Sequence, residues 1–205
     1  MGTWLRKLLI VTAAAVAVLP ASADISKNPQ SATEGRYEID PPHALIMFCI
    51  PHFGGTSNYC GWFARPSGTL QFNGAQPEKS SVEASVDLTR VQTRSDELDQ
   101  RLRDDMFEVA KFATATFKST SVKVTGANRG TVTGDLTLHG VTKPMTLDVT
   151  FNGGQPRPIG DGYLIGFSAT GTVKLADFNL TGVAWKTFVG DDVTLRIEVE
   201  FVNKQ

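Results

Sequence analysis

The strongest constraint on this chain is a regular alternation of apolar and polar residues on either side of a short turn. Residues 130–151 read GTVTGDLTLHGVTKPMTLDVTF, with apolar side chains at every second position of both arms. Successive side chains of a strand point to opposite faces, so a period of two is typical of strands with one buried face. Gly140 and Pro144 suit a turn and the start of a strand. The stretch therefore predicts a β-hairpin.

The same period recurs along the chain. Besides the two arms of the hairpin, it predicts strands over residues 37–52, 59–72, 80–88, 114–124, 163–173 and 193–201. After the third strand, Leu98, Leu102 and Met106 are spaced by four, which predicts an amphipathic helix with Thr93 or Ser95 as its N-cap. Half-buried strands joined by short turns favour an antiparallel sheet, and closure of that sheet removes its exposed edges. We predict an all-β fold, an up-and-down eight-stranded antiparallel barrel with one amphipathic helix inserted between strands 3 and 4.

The N-terminus has the organisation of an export signal. Arg6 and Lys7 precede an uncharged apolar stretch, residues 8–19, and Ala21-Ser22-Ala23 supplies small residues for a cleavage site. The apolar stretch is too short to span a hydrocarbon core of about 30 Å as a helix. We predict a cleaved signal peptide at residues 1–23, a flexible N-terminal segment at 24–35 and one domain at 36–205. An uncleaved anchor is the alternative.

The net charge of the exported chain limits the classes of partner that it can bind. Loss of Arg6 and Lys7 changes the formal net charge from −1 to −3. No run of lysine and arginine remains, so we expect no nucleic-acid partner. No later apolar segment is long enough to cross a bilayer, so we do not expect an integral membrane protein.

Cys49 and Cys60 are the only cysteines. If Ile50 and Phe63 point into the barrel, strand parity places both cysteines outside on neighbouring strands. Exported proteins meet an oxidising environment, which favours a disulfide between them. Two unpaired thiols are the alternative.

The inward faces of the predicted barrel combine large aromatic residues with very small ones. By strand parity, the inward positions hold the large residues Phe48, Phe63 and Phe117 as well as the small residues Gly61 and Gly134. Small inward residues leave volume and aromatic residues give it apolar walls, which suits a long apolar ligand. The alternative is that large side chains interdigitate over the glycines and leave no cavity.

The predicted ligand site has an apolar wall and a polar end. The wall comprises Phe48, Ile50, Phe63, Phe72, Val86, Leu98, Leu102, Met106, Phe107, Phe117, Leu136, Leu138, Leu147, Val149, Phe167, Leu195 and Ile197. The candidates for contacting a polar head group are His52, Arg94, Arg101 and Lys186. A guanidinium binds phosphate with two parallel hydrogen bonds, although each of these charges could equally be a solvated surface group. Trp185 and Phe188 either line the mouth or anchor the irregular segment that contains them.

Catalytic and metal-binding motifs are absent from the sequence. There is no nucleophile elbow, P-loop or dinucleotide-binding fingerprint, so we predict no catalytic residue and no enzyme activity. His43, His52 and His139 lie at strand ends or turns without the spacing of metal ligands. We expect His139 to fix the hairpin turn by a hydrogen bond, and we predict neither a metal nor a cofactor.

Short motifs distributed along the chain resemble, in order, those of the YceI-like family. They include Tyr37-Glu38-Ile39-Asp40-Pro41, His43, Gly61, Phe63, Leu102-Arg103, Phe107, Phe117-Lys118-Ser119, Gly134-Asp135-Leu136-Thr137-Leu138-His139-Gly140-Val141-Thr142, Gly166-Phe167, Asp177-Phe178 and Val189-Gly190-Asp191-Asp192-Val193. The resemblance covers nearly all of the exported chain. It implies a periplasmic, lipocalin-like barrel that is often a homodimer and binds a polyisoprenoid or similar long amphiphile without catalysis.

The leading hypothesis is a periplasmic carrier that holds an isoprenoid or other long-chain lipid in the barrel. A second hypothesis is a quinone-binding or stress-response partner of a membrane electron-transfer system. A third, a hydrolase or isomerase acting on a small amphiphile, would require a polar pair inside the barrel, and the inward positions offer none.

Overall fold

The structure, a computed structural model, describes residues 25–180 and 188–203. Its strands and helix are β1 (Gly35–His52), β2 (Ser57–Ala64), β3 (Ser67–Phe72), β4 (Ser81–Asp87), β5 (Val91–Gln92), α1 (Asp96–Arg101), β6 (Thr114–Gly126), β7 (Arg129–Leu138), β8 (Val141–Pro156), β9 (Tyr163–Lys174) and β10 (Asp192–Asn203). A π-helical turn, Leu102–Met106, continues α1. Short 3-10 turns lie at Pro29–Ser31, Phe53–Gly55, Pro77–Lys79, Leu88–Arg90 and Leu175–Phe178. The predicted signal peptide lies outside the described residues.

The strands form a closed antiparallel barrel with eight positions around its wall. The second half of β1 pairs with β2 and its first half with β3, so β2 and β3 share one position. β5 pairs with β2, and β4 pairs with β3, so β4 and β5 together occupy the neighbouring position of the wall. From β6 to β10 each strand pairs with the following one, and β10 returns to β1. The predicted eight-stranded up-and-down barrel is confirmed.

The strand predicted over residues 59–72 is divided in the structure. Pro66, between β2 and β3, has no N–H to donate to the ladder, and Arg65 has a positive φ of 59°. The break bends the chain and lets its two parts follow the two halves of β1.

The helix lies between β5 and β6, where the spacing of Leu98, Leu102 and Met106 predicts it. Ser95 is its N-cap, with its Oγ accepting a hydrogen bond from the Leu98 N–H at 3.3 Å. Steps of four residues turn about 40° too far on an α-helix, so the apolar stripe would drift away from the barrel. The π turn, in which the Phe107 N–H donates to the Leu102 carbonyl at 2.8 Å, widens the helix and reduces that drift. Within residues 25–180 and 188–203, no helix has the length and apolar character needed to cross a membrane.

The apolar core consists of two clusters at opposite ends of the barrel. The mouth half, beside α1, contains the buried residues Phe63, Leu88, Val91, Leu102, Phe107, Ala115, Leu138, Met145, Leu147, Ala169, Val173, Leu175, Phe178, Leu180 and Val193. The far half contains Ala32, Tyr37, Ile39, Ala44, Leu70, Phe72, Phe151, Ile165 and Phe201.

Part of the N-terminal segment 25–34 contacts the far half. Ser26 exchanges two backbone hydrogen bonds with Gly154 of β8, at 3.2 and 2.9 Å. Ala32 is buried, and the Tyr37 hydroxyl donates to the Thr33 carbonyl at 2.6 Å. The contact with Gly154 depends on a strand distant in sequence, so local composition does not reveal it.

Candidate ligand-binding cavity

A cavity of about 550 Å³ lies inside the barrel, between α1 and the far-half cluster. Every residue predicted for the apolar wall borders it except Phe72. Ile46, Val82, Val132 and Val173 also border it and extend the same inward faces. A volume of this size is within the range of sites for small organic ligands.

Phe72 lies beneath this cavity instead of lining it. Its ring stacks on Phe151 at 6.0 Å between centroids and meets Tyr37 edge-on at 6.1 Å. It borders a smaller space of about 130 Å³ in the far half. Strand parity determines which face a side chain occupies but not its depth along the barrel axis, which is why the sequence misplaces it.

The inward glycines accommodate neighbouring rings and do not provide free volume. A Cβ at Gly134 would lie 2.5 Å from Cζ of Phe117, and one at Gly61 would lie 2.5 Å from Cζ of Phe48. The outer edge of each ring therefore occupies the place that a side chain would take at a glycine of the adjacent strand. The expectation that these glycines leave space is corrected, because the cavity lies beyond the rings that cover them.

The polar residues bordering the cavity are concentrated at one end. Among the described residues, His52, Tyr59, Thr93 and Arg101 lie near α1, and Thr116 is the remaining polar residue of the lining. The rest of the lining is apolar, down to Ile39 and Phe201 in the far half. The cavity is therefore amphipathic along its length.

Two of the four head-group candidates border the cavity. The His52 ring lies 6.2 Å from that of Tyr59, and the Arg101 Nε lies 3.9 Å from an oxygen of Asp105. Arg94 does not border the cavity; its guanidinium carbon lies 5.0 Å from the centre of the Tyr59 ring, a cation–π contact. Lys186 and Trp185 lie outside the described residues.

Sequence reasoning missed Tyr59 and Thr93 as lining residues. Tyr59 shares its strand parity with Phe63, so the alternation of β2 already contained the signal. Thr93 lies in the loop before α1, where no periodic pattern exists. Its N–H donates to the buried Asp99 carboxylate at 2.7 Å, which holds that loop against the helix.

His139 joins three segments that close the mouth half. Its Nδ1 lies 3.2 Å from the Phe178 carbonyl and its Nε2 lies 2.9 Å from the Glu108 carboxylate. Both partners can accept a hydrogen bond from a ring N–H. Lys111 and His139 hold the pKa of the Glu108 carboxyl below its usual range. The hydrogen bonds extend beyond the hairpin turn to the segments that cover the barrel.

Cys49 and Cys60 are joined by a disulfide. They are directly opposite in the β1–β2 ladder, with Cα atoms 4.1 Å apart. The bond closes the hairpin just below its tip, residues 53–56, beside the cavity.

A group of potential metal ligands lies outside the cavity. The His43 Nδ1 is 2.9 Å from Asp40 and 3.9 Å from Glu200, on an exposed part of β1 and β10. The hydrogen bond to Asp40 raises the pKa of His43. An exposed imidazole hydrogen-bonded to Asp40 beside Glu200 is a common surface arrangement that requires no metal ion.

Comparison with known proteins agrees with this geometry. Residues 37–201 match the YceI-like domain. Protein YceI of Escherichia coli is 40% identical over 189 residues, which cover 89% of this chain and 95% of that protein. The crystal structure of the Campylobacter jejuni YCEI protein superposes with a TM-score of 0.65 at 30% identity, covering 73% of this chain and 87% of that one.

A more distant structure shares the fold alone. A polyisoprenoid binding domain from Saccharophagus degradans superposes with a TM-score of 0.60 at 19% identity, covering 84% of this chain and all of that domain. The matched domain spans the whole barrel, from Tyr37 at its far half to Phe201 in the closing strand. This chain therefore belongs to the YceI-like family.

Proposed function

We propose that this protein is a periplasmic carrier that holds an isoprenoid or other long-chain amphiphilic lipid in its barrel and performs no catalysis. The observation that carries the proposal is the amphipathic cavity of about 550 Å³, apolar along its walls and polar at the α1 end. Polyisoprenoid binding by the domain from Saccharophagus degradans, which has the same fold, supports it. Export through the segment 1–23, leaving a chain with one barrel domain at 36–205, is part of the proposal.

The size of the cavity indicates the length of the chain it holds. A methylene group fills about the same space as a water molecule, roughly 30 Å³, so the cavity takes about 18 carbons. At about 0.8 kcal/mol for each buried methylene, the hydrophobic gain is about 14 kcal/mol, which offsets a cost of about 4–15 kcal/mol for immobilising the ligand. A chain of about four isoprene units fits these numbers.

The polar end determines the orientation of the ligand. A hydroxyl or phosphate near His52, Thr93 and Arg101 can form hydrogen bonds, whereas the apolar tail extends toward Phe167 and Phe201. The opposite orientation would leave the head group unpaired among apolar side chains, which is costly.

The lining supports binding over hydrolysis. Within residues 25–180 and 188–203, the cavity lining contains no carboxylate, cysteine, serine or lysine, so a hydrolase or isomerase would find few groups there with which to activate water or abstract a proton. A quinone with an isoprenoid tail would fit the same cavity, so the quinone alternative differs from the carrier proposal in the ligand's head group. Identifying the bound ligand distinguishes the two.

Ligand binding in the cavity is tested by placing a large side chain in its wall. Ala169, buried on the inward face of β9, lines the cavity, and its neighbour Thr170 is exposed on the opposite face. We expect all-trans-retinol, a fluorescent C20 isoprenoid alcohol, to bind saturably with one molecule per chain. Ala169→Phe should weaken binding more than tenfold, whereas the matched control Thr170→Phe should leave it unchanged. Absent binding, or equal binding by both variants, would refute the carrier.

The natural ligand and the export signal are tested together by native mass spectrometry of protein recovered from the periplasm. We expect a chain beginning at Asp24 with a bound species of isoprenoid mass. A bound quinone would favour the electron-transfer alternative, and a consistently empty barrel would argue against both.

A further inference from the structure

The exposed aromatic rings of the described chain are found at the mouth of the cavity. The large apolar residues exposed among residues 25–180 and 188–203 are Ile25, Phe53, Val124, Ile159 and Phe188. The two phenylalanines are 56% and 48% exposed and lie beside the α1 end of the barrel. Ile25, Val124 and Ile159 lie toward the far half, away from the mouth.

The two phenylalanines form one patch continuous with the opening. Their rings meet edge-on with centroids 5.7 Å apart, and the Phe53 N–H donates to the Phe188 carbonyl at 2.8 Å. The His52 ring lies 4.1 Å from that of Phe53. His52 and Phe188 border the cavity, so an apolar surface extends from the interior to the outside of the mouth.

The backbone holds the Phe53 ring outward. Phe53 has a φ of 45°, which is uncommon for a bulky residue and costs free energy. Its side chain is only partly buried, against His52 and Phe188, so burial offsets little of that cost. The disulfide between Cys49 and Cys60 and the hydrogen bond from the Gly190 N–H to the Pro51 carbonyl at 2.9 Å fasten the hairpin on both sides. The exposed ring is therefore held in position by its surroundings.

We propose that this patch docks the mouth on the surface of a phospholipid bilayer. The inference rests on the proposed carrier function, because a long-chain lipid enters and leaves the cavity from a membrane. Aromatic rings are stable in the interfacial region of a bilayer, where their apolar faces leave water. Docking covers the opening together with the rings. The apolar tail of the lipid then passes between the acyl region of the bilayer and the cavity without crossing water.

The charge of the protein indicates that insertion of the rings, and not attraction to anionic lipid, drives this contact. The exported chain has a predicted formal net charge of −3, which disfavours an anionic surface. We therefore expect docking on zwitterionic phosphatidylcholine vesicles with little dependence on salt concentration.

The test measures how fast all-trans-retinol moves from phosphatidylcholine vesicles into the protein. Phe53 does not border the cavity, so Phe53→Ser leaves the binding site intact. Ile159→Ser is the matched control, since it removes an exposed apolar side chain from the loop between β8 and β9. Phe53→Trp restores an interfacial ring.

For the wild-type protein we expect a transfer rate that rises with vesicle concentration, as collision requires. Phe53→Ser should slow transfer about tenfold, the factor that burial of half a phenylalanine side chain supports. Ile159→Ser and Phe53→Trp should transfer at the wild-type rate. Retinol delivered from ethanol should bind equally to all four proteins.

Two results would overturn the docking proposal while leaving the carrier intact. One is a rate that is independent of vesicle concentration or unchanged by Phe53→Ser. The other is a dimer, detected by sedimentation, that Phe53→Ser converts to monomer without vesicle binding, which would assign the patch to a second copy of the chain. If no variant binds retinol, the carrier fails, and cosedimentation with empty vesicles still decides whether Phe53 docks.

Discussion

The mouth half and the far half of the barrel are built from the same alternating strands, but the first encloses a cavity and the second is filled by side chains. In the mouth half, large rings lie over glycines, as Phe117 lies over Gly134, and a cavity remains beyond them. In the far half, Tyr37, Phe72 and Phe151 pack ring against ring. The partner opposite each ring, a glycine or another ring, therefore decides whether a stretch of the barrel encloses space or fills it.

The largest expected effect comes from removing a ring from the far half. Phe72→Ala deletes contacts with Tyr37, Phe151 and Phe167 in a packed cluster, so we expect a loss of about 4 kcal/mol in the free energy of unfolding. Phe117→Ala, beside the existing cavity, should cost about half as much, because the deleted ring has fewer neighbours to lose.

Urea denaturation of the two phenylalanine variants provides the measurement. Equal losses for Phe72→Ala and Phe117→Ala would show that the mouth half is packed as tightly as the far half. That result would remove the difference between the two regions.

A smaller effect is expected from adding one methyl group in the mouth half. At Gly134 a Cβ would lie 2.5 Å from both the Phe117 ring and the Lys118 carbonyl, so Gly134→Ala should destabilise the fold by about 2 kcal/mol. Gly166 is the matched control on β9, where the nearest atom to a Cβ is 3.8 Å away. Gly166→Ala should be neutral or slightly stabilising. If thermal denaturation shows equal midpoints for the two variants, the rings do not rest on the glycines.

The smallest effect concerns alkaline pH in the far half. Burial, with a contribution from nearby Tyr163, raises the pKa of Tyr37 to about 12. The folded state therefore favours the neutral phenol, so its stabilisation is complete below pH 10 and declines as the pH rises from 10 through 12. In urea denaturation at pH 9, 10 and 11, the wild type should lose stability relative to Tyr37→Phe. A constant difference would indicate that water reaches the hydroxyl.

Much of the fold and part of the site follow from local sequence pattern. Strand parity alone places Phe48, Phe117 and Leu136 on the inner face, and the change of period at Leu98 predicts the helix that covers the mouth. Parity also places Cys49 and Cys60 together on the outer face. These features depend on a few consecutive residues, so a single sequence contains them.

Other parts of the site depend on residues distant in the chain. Phe72 and Phe117 have equivalent inward positions, yet one lies in the far half and the other borders the cavity. Arg94, a head-group candidate in the sequence, does not border the cavity and lies against Tyr59. Phe53 belongs to the turn between β1 and β2, and the sequence of that segment indicates a turn and no other role. Depth in the barrel and contact across it are set by strand register, which local pattern does not specify.

The local pattern of residues specifies the eight alternating wall positions, the inserted helix and the apolar character of the interior, because side-chain direction along a strand has a period of two. The location of the empty space inside the barrel depends on the tertiary structure. The register of the closed sheet places Phe117 over Gly134 and gathers His52, Tyr59 and Arg101 at one end. Closure joins β1 to β10 across almost the whole chain, and a cavity exists only once that pairing fixes which side chains face each other.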